Sequence, residues 1–245
     1  IKKESFHIPP LEEQKAIARV LSTIDDKIEL NNQINQDIEE MAQAIFRSWF
    51  VDFEPFQDGE FVESELGRIP KGWKVGRFGD IAQISSGKRP ENKKSRSKGE
   101  YLIPVIGASK VMGYVKRPLY EEPILVIGRV GTHGVVQRVY GKSWPSDNTL
   151  VIKTTYYEFV YHILKRMNYE SIHRGSTQPL ITKRDLSNKK IIVPDKKIMN
   201  DFEDMIGKFT SLSSHNQRQN LDLIQLRDTL LPKLISGELR FPSEE

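Results

Sequence analysis

Cysteine is absent from the 245 residues of this sequence. The absence excludes disulfides, thiolate metal ligands and cysteine nucleophiles, and it fits a reducing compartment. No run of about 18 or more apolar residues is present and no signal peptide opens the chain, so we expect a cytoplasmic protein that does not enter a membrane. The chain starts with Ile1 instead of Met, which suggests a piece of a longer protein.

Motifs for catalysis are missing as well. Gly141-Lys142-Ser143 resembles the end of a phosphate-binding P-loop, but Val136 occupies the required upstream glycine position. The glycines of 128–134 lack the GxGxxG spacing, and Pro194-Asp195 lacks the Asp/Glu-x-Lys of a nuclease metal site. The only Pro-Pro follows Ile8, so the amino-methyltransferase motif is absent, and the five histidines lie too far apart for a metal site. We therefore predict a protein that is not an enzyme and needs no metal or cofactor.

Positive charge is concentrated in the middle of the chain. Residues 67–190 contain 24 Lys or Arg against 9 Asp or Glu, whereas the two flanks together contain 13 against 24. A charge run is commonly just a solvated face. Segregation this strong favours a polyanionic partner, because Lys and Arg neutralise phosphates when a protein binds nucleic acid.

The start and the end of the chain form a repeat, which aligns without gaps at an offset of 185 residues. Each copy has a short apolar stretch ending in proline, Phe6–Pro9 and Ile191–Pro194, followed by a long helical pattern. The patterns predict helices over residues 11–50 and 196–235, each roughly 60 Å long. Because one helix leads into the middle of the chain and the other leads out, we expect them to pair antiparallel.

A strict alternation of three and four residues defines one coiled-coil seam along each predicted helix. The seam positions are Ile17, Leu21, Ile24, Ile28, Asn31, Asn35, Ile38, Ala42, Ile45 and Trp49 in the first helix, and Phe202, Ile206, Phe209, Ser213, Asn216, Asn220, Leu223, Arg227, Leu230 and Leu234 in the second. Asparagine thus recurs at the same two places. Buried asparagine lowers stability but penalises a register that leaves it unpaired, so we predict that these four residues set the register. The alternative is that they face solvent where the seam loosens.

The ends of the two helices carry further signals. Residues 49–56 contain four aromatic side chains, which either join the first helix to the middle domain or form a docking site for a partner. In the second helix Pro232 predicts a kink and Gly237 predicts the end of the helix.

The middle of the chain has a mixed pattern. Ile124–Val130, Gly134–Tyr140 and Thr149–Thr154 are predicted to be strands, the first two joined by a tight turn at residues 131–134. Helical spacing follows from Tyr156 to Met167, which indicates an α/β or α+β domain of about 130 residues. Its most basic stretch, residues 86–100, is predicted to be a loop that stays poorly ordered until it contacts DNA phosphates or a groove; the alternative is a mobile solvated hairpin.

Several stretches together resemble the specificity subunit of type I restriction-modification systems. These are IPPLEEQKAIARVLSTIDDKIELNN and SWFVDFEPF in the first helix region, GRIPKGWKVGRFGDIAQISSGKRP and GRVGTHGVVQRVYGKSWPSDN in the middle, and RGSTQPLITKRDLSNKKIIVP and RDTLLPKLISGELR towards the end. The resemblance covers essentially the whole chain, as the second half of such a subunit. It implies an α/β (α+β) target-recognition domain at residues 57–190, with the long helices of residues 1–56 and 191–245 forming an antiparallel coiled coil.

The resemblance also implies a function. Such a subunit is not catalytic; it reads half of a bipartite site in double-stranded DNA and docks modification (methyltransferase) subunits, which bind S-adenosylmethionine and methylate adenine, and restriction subunits join to cut DNA. Residues 5–10 would be the last strand of a missing first recognition domain. The chain is then either a fragment or a half-length subunit that forms a homodimer.

Residues for DNA contact do not transfer through the resemblance, because recognition domains differ in target. The candidates are local basic and polar residues: Lys88, Arg89, Lys93, Lys94, Arg96, Arg129, Arg138, Lys142, Ser176, Thr177, Gln178, Lys183 and Arg184. For residues 176–178 a capping turn is the alternative. Two other functions remain open, the specificity module of a fused restriction-methyltransferase enzyme and a coiled-coil adaptor whose basic domain binds an acidic protein. Salt-dependent duplex binding distinguishes the DNA readers from the adaptor.

Overall fold

The computed structural model describes residues 10–129, 135–169 and 180–240. The chain divides into two compact units, which we call the helix-pair unit (Ile1–Ala44 with Gly207–Glu245) and the sheet unit (Ile45–Ile206). In chain order the elements are α1 (Leu11–Phe50), β1 (Phe61–Ser64), β2 (Gly67–Pro70), β3 (Lys74–Arg77), β4 (Gln83–Ser86), β5 (Ile103–Ile106), β6 (Val111–Val115), β7 (Ile124–Gly128), β8 (Val136–Val139), β9 (Trp144–Pro145), β10 (Thr149–Lys153), α2 (Tyr157–Arg166), α3 (Lys183–Ser187), β11 (Lys190–Val193) and α4 (Lys196–Ile235). Helices α1 and α4 contribute residues to both units. Among the described residues, no helix is both long and apolar enough to cross a bilayer.

The two long helices have the predicted bounds. Each contains 40 residues, and both begin directly after a proline-containing segment. Every predicted seam position in both helices is buried or half-buried, including Ile17, Ile38 and Leu234. The heptad pattern therefore identified the buried face of each helix correctly.

Side-chain pairs across the helix-pair unit show that its helices are antiparallel. Arg227 Nη1 lies 2.8 Å from Asp25 Oδ1, and Asn31 Nδ2 donates to Asn220 Oδ1 at 2.8 Å. Asn216 Nδ2 donates to Asn35 Oδ1 at 3.1 Å. As the residue number rises along α1, the partner's number falls along α4, which defines an antiparallel pair and confirms the expected direction.

The end of α4 follows the predicted stop signal. The helix continues past Pro232 to Ile235, and Gly237 then adopts φ 72°. Glycine tolerates this left-handed conformation, in which its N–H donates to the carbonyl of Leu234 at 3.3 Å.

The sheet unit contains one four-stranded sheet and three smaller ones. The four-stranded sheet has the antiparallel order β4-β10-β7-β8, and β6-β5-β9 form a three-stranded sheet in which β5 and β9 are parallel. Strands β1 and β2 form a hairpin, and β11 pairs antiparallel with β3. The three strands predicted from the sequence correspond to β7, β8 and β10, each ending within two residues of its predicted bounds. The predicted turn between β7 and β8 lies outside the described residues.

The core of the sheet unit forms around the central strands. All five residues of β7 are buried, as are the first four of β10, because α2 and the neighbouring strands cover them. This explains their continuous apolar runs. Helix α2 packs on the sheet through a strip of buried side chains that includes Phe159, Val160 and Leu164.

The aromatic residues at the end of α1 are packed inside the sheet unit. The Phe50 ring lies 4.8 Å from that of Phe159 and 5.0 Å from that of Phe202, and the Phe56 ring lies 5.1 Å from that of Trp73. Phe50 is therefore a core residue of the sheet unit, and Trp49, Phe53 and Phe56 are half-buried and pack against other aromatic rings of the same unit. Of the two interpretations that the sequence left open, the structure favours packing over an exposed docking patch.

A carboxylate of α4 caps the first turn of α2. Glu203 accepts hydrogen bonds from the N–H groups of Glu158 at 3.0 Å and Phe159 at 2.8 Å. These groups lack partners within their own helix. Burial raises the pKa of Glu203 to about 7, although both hydrogen bonds oppose that shift.

Candidate nucleic-acid interface

One end of the four-stranded sheet brings together segments that are far apart in the sequence. The N–H of Gly87 donates to the carbonyl of Thr149 at 3.1 Å, and the N–H of Arg129 donates to that of Asn148 at 3.0 Å. The N–H of Ile181 in turn donates to the carbonyl of Arg129 at 3.0 Å. We call this region, residues 86–89, 128–129, 146–149 and 180–184, the basic edge.

Helix α3 begins at the basic edge. Thr182 caps it, since its Oγ1 accepts the N–H of Asp185 at 3.1 Å. The cap places Lys183 and Arg184, both exposed, in the first turn directly after Ile181. Two of the predicted DNA-contact residues therefore lie beside Arg129 even though more than 50 residues separate them in the sequence.

The basic loop of residues 86–100 is anchored, which differs from the expected poorly ordered loop. Lys94 and Tyr114 exchange two backbone hydrogen bonds of 2.9 and 2.8 Å, which join the loop to β6. Gly113 permits this approach, because a Cβ there would lie 2.6 Å from the carbonyl oxygen of Lys94. The Lys94 ammonium also lies 4.5 Å from the centre of the Tyr101 ring.

Most cations of this loop remain available to a partner. Lys88, Arg89, Lys93 and Arg96 are exposed and form no ion pair within the part of the chain that the structure describes. Of the loop's two acids, Glu100 is neutralised, because Lys116 approaches to 2.6 Å and holds the pKa of Glu100 below its usual value. The loop is therefore strongly cationic.

Arg129 is half-buried at the centre of the basic edge. Its Nε is enclosed and has no hydrogen-bond partner in the described ranges. A buried guanidinium nitrogen without a partner is unusual in a folded protein.

A cleft of about 370 Å³ lies next to the basic edge. It is lined by Arg89, Pro90, Lys93, Val105, Met112, Ser146, Asp147 and Asn148. The lining therefore combines cations with a turn that bears a carboxylate and a carboxamide.

Three groups of predicted contact residues have a different outcome. Arg138 faces the interior, where its Nη2 lies 2.6 Å from Glu158 Oε2 and its guanidinium carbon lies 3.5 Å from the centre of the Tyr161 ring. The predicted DNA contact is therefore replaced by an internal ion pair. Lys142 is exposed two residues before Trp144, whose ring N–H donates to the carbonyl of Lys88 at 2.7 Å. Ser176, Thr177 and Gln178 lie outside the described residues.

Sequence reasoning missed Asp147 and Asn148, because the search for DNA contacts followed positive charge. Both are exposed at the tip of the turn between β9 and β10, in the middle of the basic edge. A signal was available in the stretch Pro145–Thr149, where Pro, Ser, Asp and Asn separate two strands, as in a turn.

The described part of the chain contains no cluster of His, Asp and Glu that could hold a metal ion. The site consists of cations, hydrogen-bonding side chains and a cleft, which are features that suit binding.

The architecture matches one class of solved protein. A crystal structure of a type I restriction-modification system S subunit from M. genitalium superposes with a TM-score of 0.65 at 16% identity, over 96% of this chain and 62% of that chain. The expected fold, an α/β (α+β) domain with two long helices paired antiparallel, is confirmed as that of these S subunits.

Sequence comparison then identifies the family. The family model for the type I restriction modification DNA specificity domain matches residues 1–40 and 70–221. The chain is 32% identical to the specificity subunit of the type I restriction enzyme MjaIX from Methanocaldococcus jannaschii, over 98% of this chain and 62% of that protein. It is 25% identical to the HindI specificity subunit from Haemophilus influenzae, over 96% of this chain and 69% of that protein. The chain belongs to the type I restriction modification DNA specificity domain family, and it spans less than two thirds of the MjaIX subunit.

Proposed function

We propose that this chain is a non-catalytic DNA-recognition subunit of a type I restriction-modification complex. The basic edge and the basic loop contact double-stranded DNA and read one half of a bipartite target. Modification subunits dock on the same chain and methylate adenine, and restriction subunits join them.

The observation that carries this proposal is the convergence of cations at one end of the four-stranded sheet. Lys88, Arg89 and Arg129 come from two strand ends, and Lys183 with Arg184 come from the start of α3, yet backbone hydrogen bonds hold these segments together. Phosphate contacts of this kind position a protein on DNA without reading the sequence. Membership in a family of DNA specificity domains supports duplex DNA as the polyanion that these cations bind.

The helix-pair unit supports docking of a protein partner. Leu221, Ile224, Leu231 and Ile235 are separated by three, seven and four residues, which places them on one face of α4 beside its seam, and they are exposed, Leu221 to 68%. A row of exposed apolar side chains is a common feature of protein interaction surfaces. We propose that modification subunits cover this row and that the four seam asparagines set the register of the helices.

Duplex binding tests the proposal directly. Replacing Lys93, Lys94 and Arg96 together by Ala should weaken binding at every DNA sequence. The slope of log affinity against log salt should also become shallower, by about 0.9 for each phosphate that the variant no longer neutralises. The measurement is filter binding of the full chain to duplexes between about 50 and 200 mM salt, the range over which phosphate neutralisation dominates affinity.

A matched variant controls for net charge. Lys196, Lys208 and Arg218 are three exposed cations of α4 that form no ion pair in the described part of the chain. Their replacement by Ala changes the net charge equally and should leave the salt slope almost unchanged. Equal slopes for the two triple variants, or no duplex binding by the unchanged chain, would exclude the proposed DNA surface.

A further inference from the structure

The turn between β9 and β10 is held by hydrogen bonds from several directions. The N–H of Ser146 donates to the carbonyl of Ile106 at 2.9 Å, and the carbonyl of Ser146 accepts both the N–H and the Oγ1 of Thr149 at 3.1 and 2.7 Å. The carbonyls of Pro145 and Asn148 accept the N–H groups of Lys88 and Arg129, both at 3.0 Å. The backbone of the turn is therefore fixed before any ligand arrives.

Close packing of Gly87 fixes the turn further. A Cβ at Gly87 would lie 2.1 Å from the carbonyl oxygen of Ser146 and 2.6 Å from that of Pro145. Only glycine permits this contact, so the strand that leads into the basic loop lies directly against the turn.

The side chains at the tip of the turn are exposed, whereas the backbone of the turn is held by hydrogen bonds. Asp147 and Asn148 are exposed, and neither side chain has a hydrogen bond or ion pair in the described ranges. Both line the cleft together with Arg89 and Lys93. Ser146, 3% exposed, lines it as well, and its hydroxyl has no partner among the described residues. A rigid turn thus displays a carboxylate and a carboxamide that the protein itself does not use.

A carboxylate in this position does not suit phosphate binding. Phosphate oxygens and a carboxylate repel each other, so Asp147 opposes the attraction of the surrounding cations. The exposed edge of a base offers a different match: a carboxylate accepts a hydrogen bond from the amino group of cytosine, and a carboxamide pairs with adenine through both its amino group and N7.

We infer that Asp147 and Asn148 are the residues that select bases bearing an amino group, cytosine or adenine, in the major groove of the bound half-site. This inference rests on the proposed function. Asp147 also disfavours guanine and thymine, because their carbonyl oxygens lie where the carboxylate lies and repel it. Its carboxylate therefore contributes to specificity both by accepting from an amino group and by repelling a carbonyl oxygen. The neighbouring cations hold the phosphates, and the turn supplies sequence preference.

The test is selection of bound duplexes from a random pool, with the full chain carrying Asp147→Asn or Asn148→Ala. Asp201→Asn is the matched control, because Asp201 is an exposed acid of α4 with no ion pair in the described part of the chain, and its replacement changes charge as Asp147→Asn does. The carboxamide of Asp147→Asn can donate as well as accept, so it no longer rejects a carbonyl oxygen.

We expect each of the two turn variants to lose about 5- to 150-fold discrimination at one base position of the selected motif, while the other positions are unchanged. Asp201→Asn should retain the motif and change the affinity for all duplexes little and equally. The inference is overturned if the turn variants select the same motif as the unchanged chain while that chain binds a defined motif. Absence of any duplex binding by the unchanged chain would instead overturn the proposed function, and this inference with it.

Discussion

At the scale of single residues, Arg138 is a cation of the sheet unit whose side chain packs in the interior. Its side chain is 16% exposed and that of its partner Glu158 is 4% exposed, and the two link β8 to α2. Sequence position alone did not distinguish it from Arg129, because both residues lie within stretches that the sequence predicts to be strands. The difference arises from strand alternation, which turns Arg138 towards α2, and this depends on a register that the sequence does not show.

Arg138→Ala should therefore lower the free energy of unfolding of the sheet unit, and its effect should not be confined to the affinity for DNA. Removal of the cation leaves a buried carboxylate without its partner, which costs about 3–5 kcal/mol. Urea unfolding followed by circular dichroism measures this cost, and Lys88→Ala, at an exposed position, should change stability by less than about 0.5 kcal/mol.

Replacing both members of the pair provides the control. Arg138→Met combined with Glu158→Leu removes both charges and keeps the volume similar, so most of the lost stability should return. If Arg138→Ala were as stable as the unchanged chain but bound DNA less tightly, Arg138 would be a DNA contact after all.

At the scale of elements, the asparagine contacts are the most specific feature of the helix-pair unit. Asn31 is fully buried and donates to both Gln219 and Asn220, while Asn220 donates to Asn32 at 2.9 Å. These bonds form in only one alignment of the two helices. A shift by one heptad would leave the buried amides without partners, which is costly.

Replacing Asn31, Asn35, Asn216 and Asn220 together by Leu should raise thermal stability and loosen the register. Apolar side chains at seam positions remove the desolvation cost of the amides, and we expect a gain of at least about 2 kcal/mol, or about 4–8 °C in melting temperature. Thermal unfolding followed by circular dichroism measures the gain.

The register can be measured with introduced cysteines, because the chain has none of its own. The observed pairs place Ile28 opposite Leu223, whereas Leu230 lies one heptad further along α4. Cysteines at 28 and 223 should cross-link in the unchanged seam, and cysteines at 28 and 230 should cross-link only in the quadruple variant. Lower stability with cross-linking confined to 28 and 223 would show that the asparagines do not set the register.

The elements also differ in how well the sequence predicted them. The 40-residue helices were found with their bounds, since ten seam positions repeat the same pattern in each. Strands such as β1, β4 and β9 were missed, because each contains only two to four residues and lacks a clean apolar alternation. The proposed contact residues were located by positive charge, but their convergence depends on sheet pairing between distant segments, and Asp147 and Asn148 carry no positive charge that could have indicated them.

At the scale of the whole molecule, the described residues form one sheet unit, whereas the target that we propose has two halves. We propose that two copies of the chain supply the two halves when no other specificity chain is present. Two identical recognition domains related by a twofold axis read the same sequence on opposite strands.

The methylated motif tests this proposal. In cells that carry this chain as the only specificity chain, together with its modification partner, methylome sequencing should show a bipartite motif whose halves are inverted repeats. Exchange of residues 57–190 for those of another family member should change both halves at once. A motif with two unrelated halves would contradict the two-copy arrangement.

The turn between β9 and β10 also has an evolutionary consequence. Its main chain is secured by Gly87, Ile106 and Arg129, whereas its two outward side chains contribute nothing to that support. Mutations at codons 147 and 148 should therefore be nearly neutral for folding. Because we infer that these two side chains select bases, we expect that a lineage could change the recognised sequence there without rebuilding its scaffold.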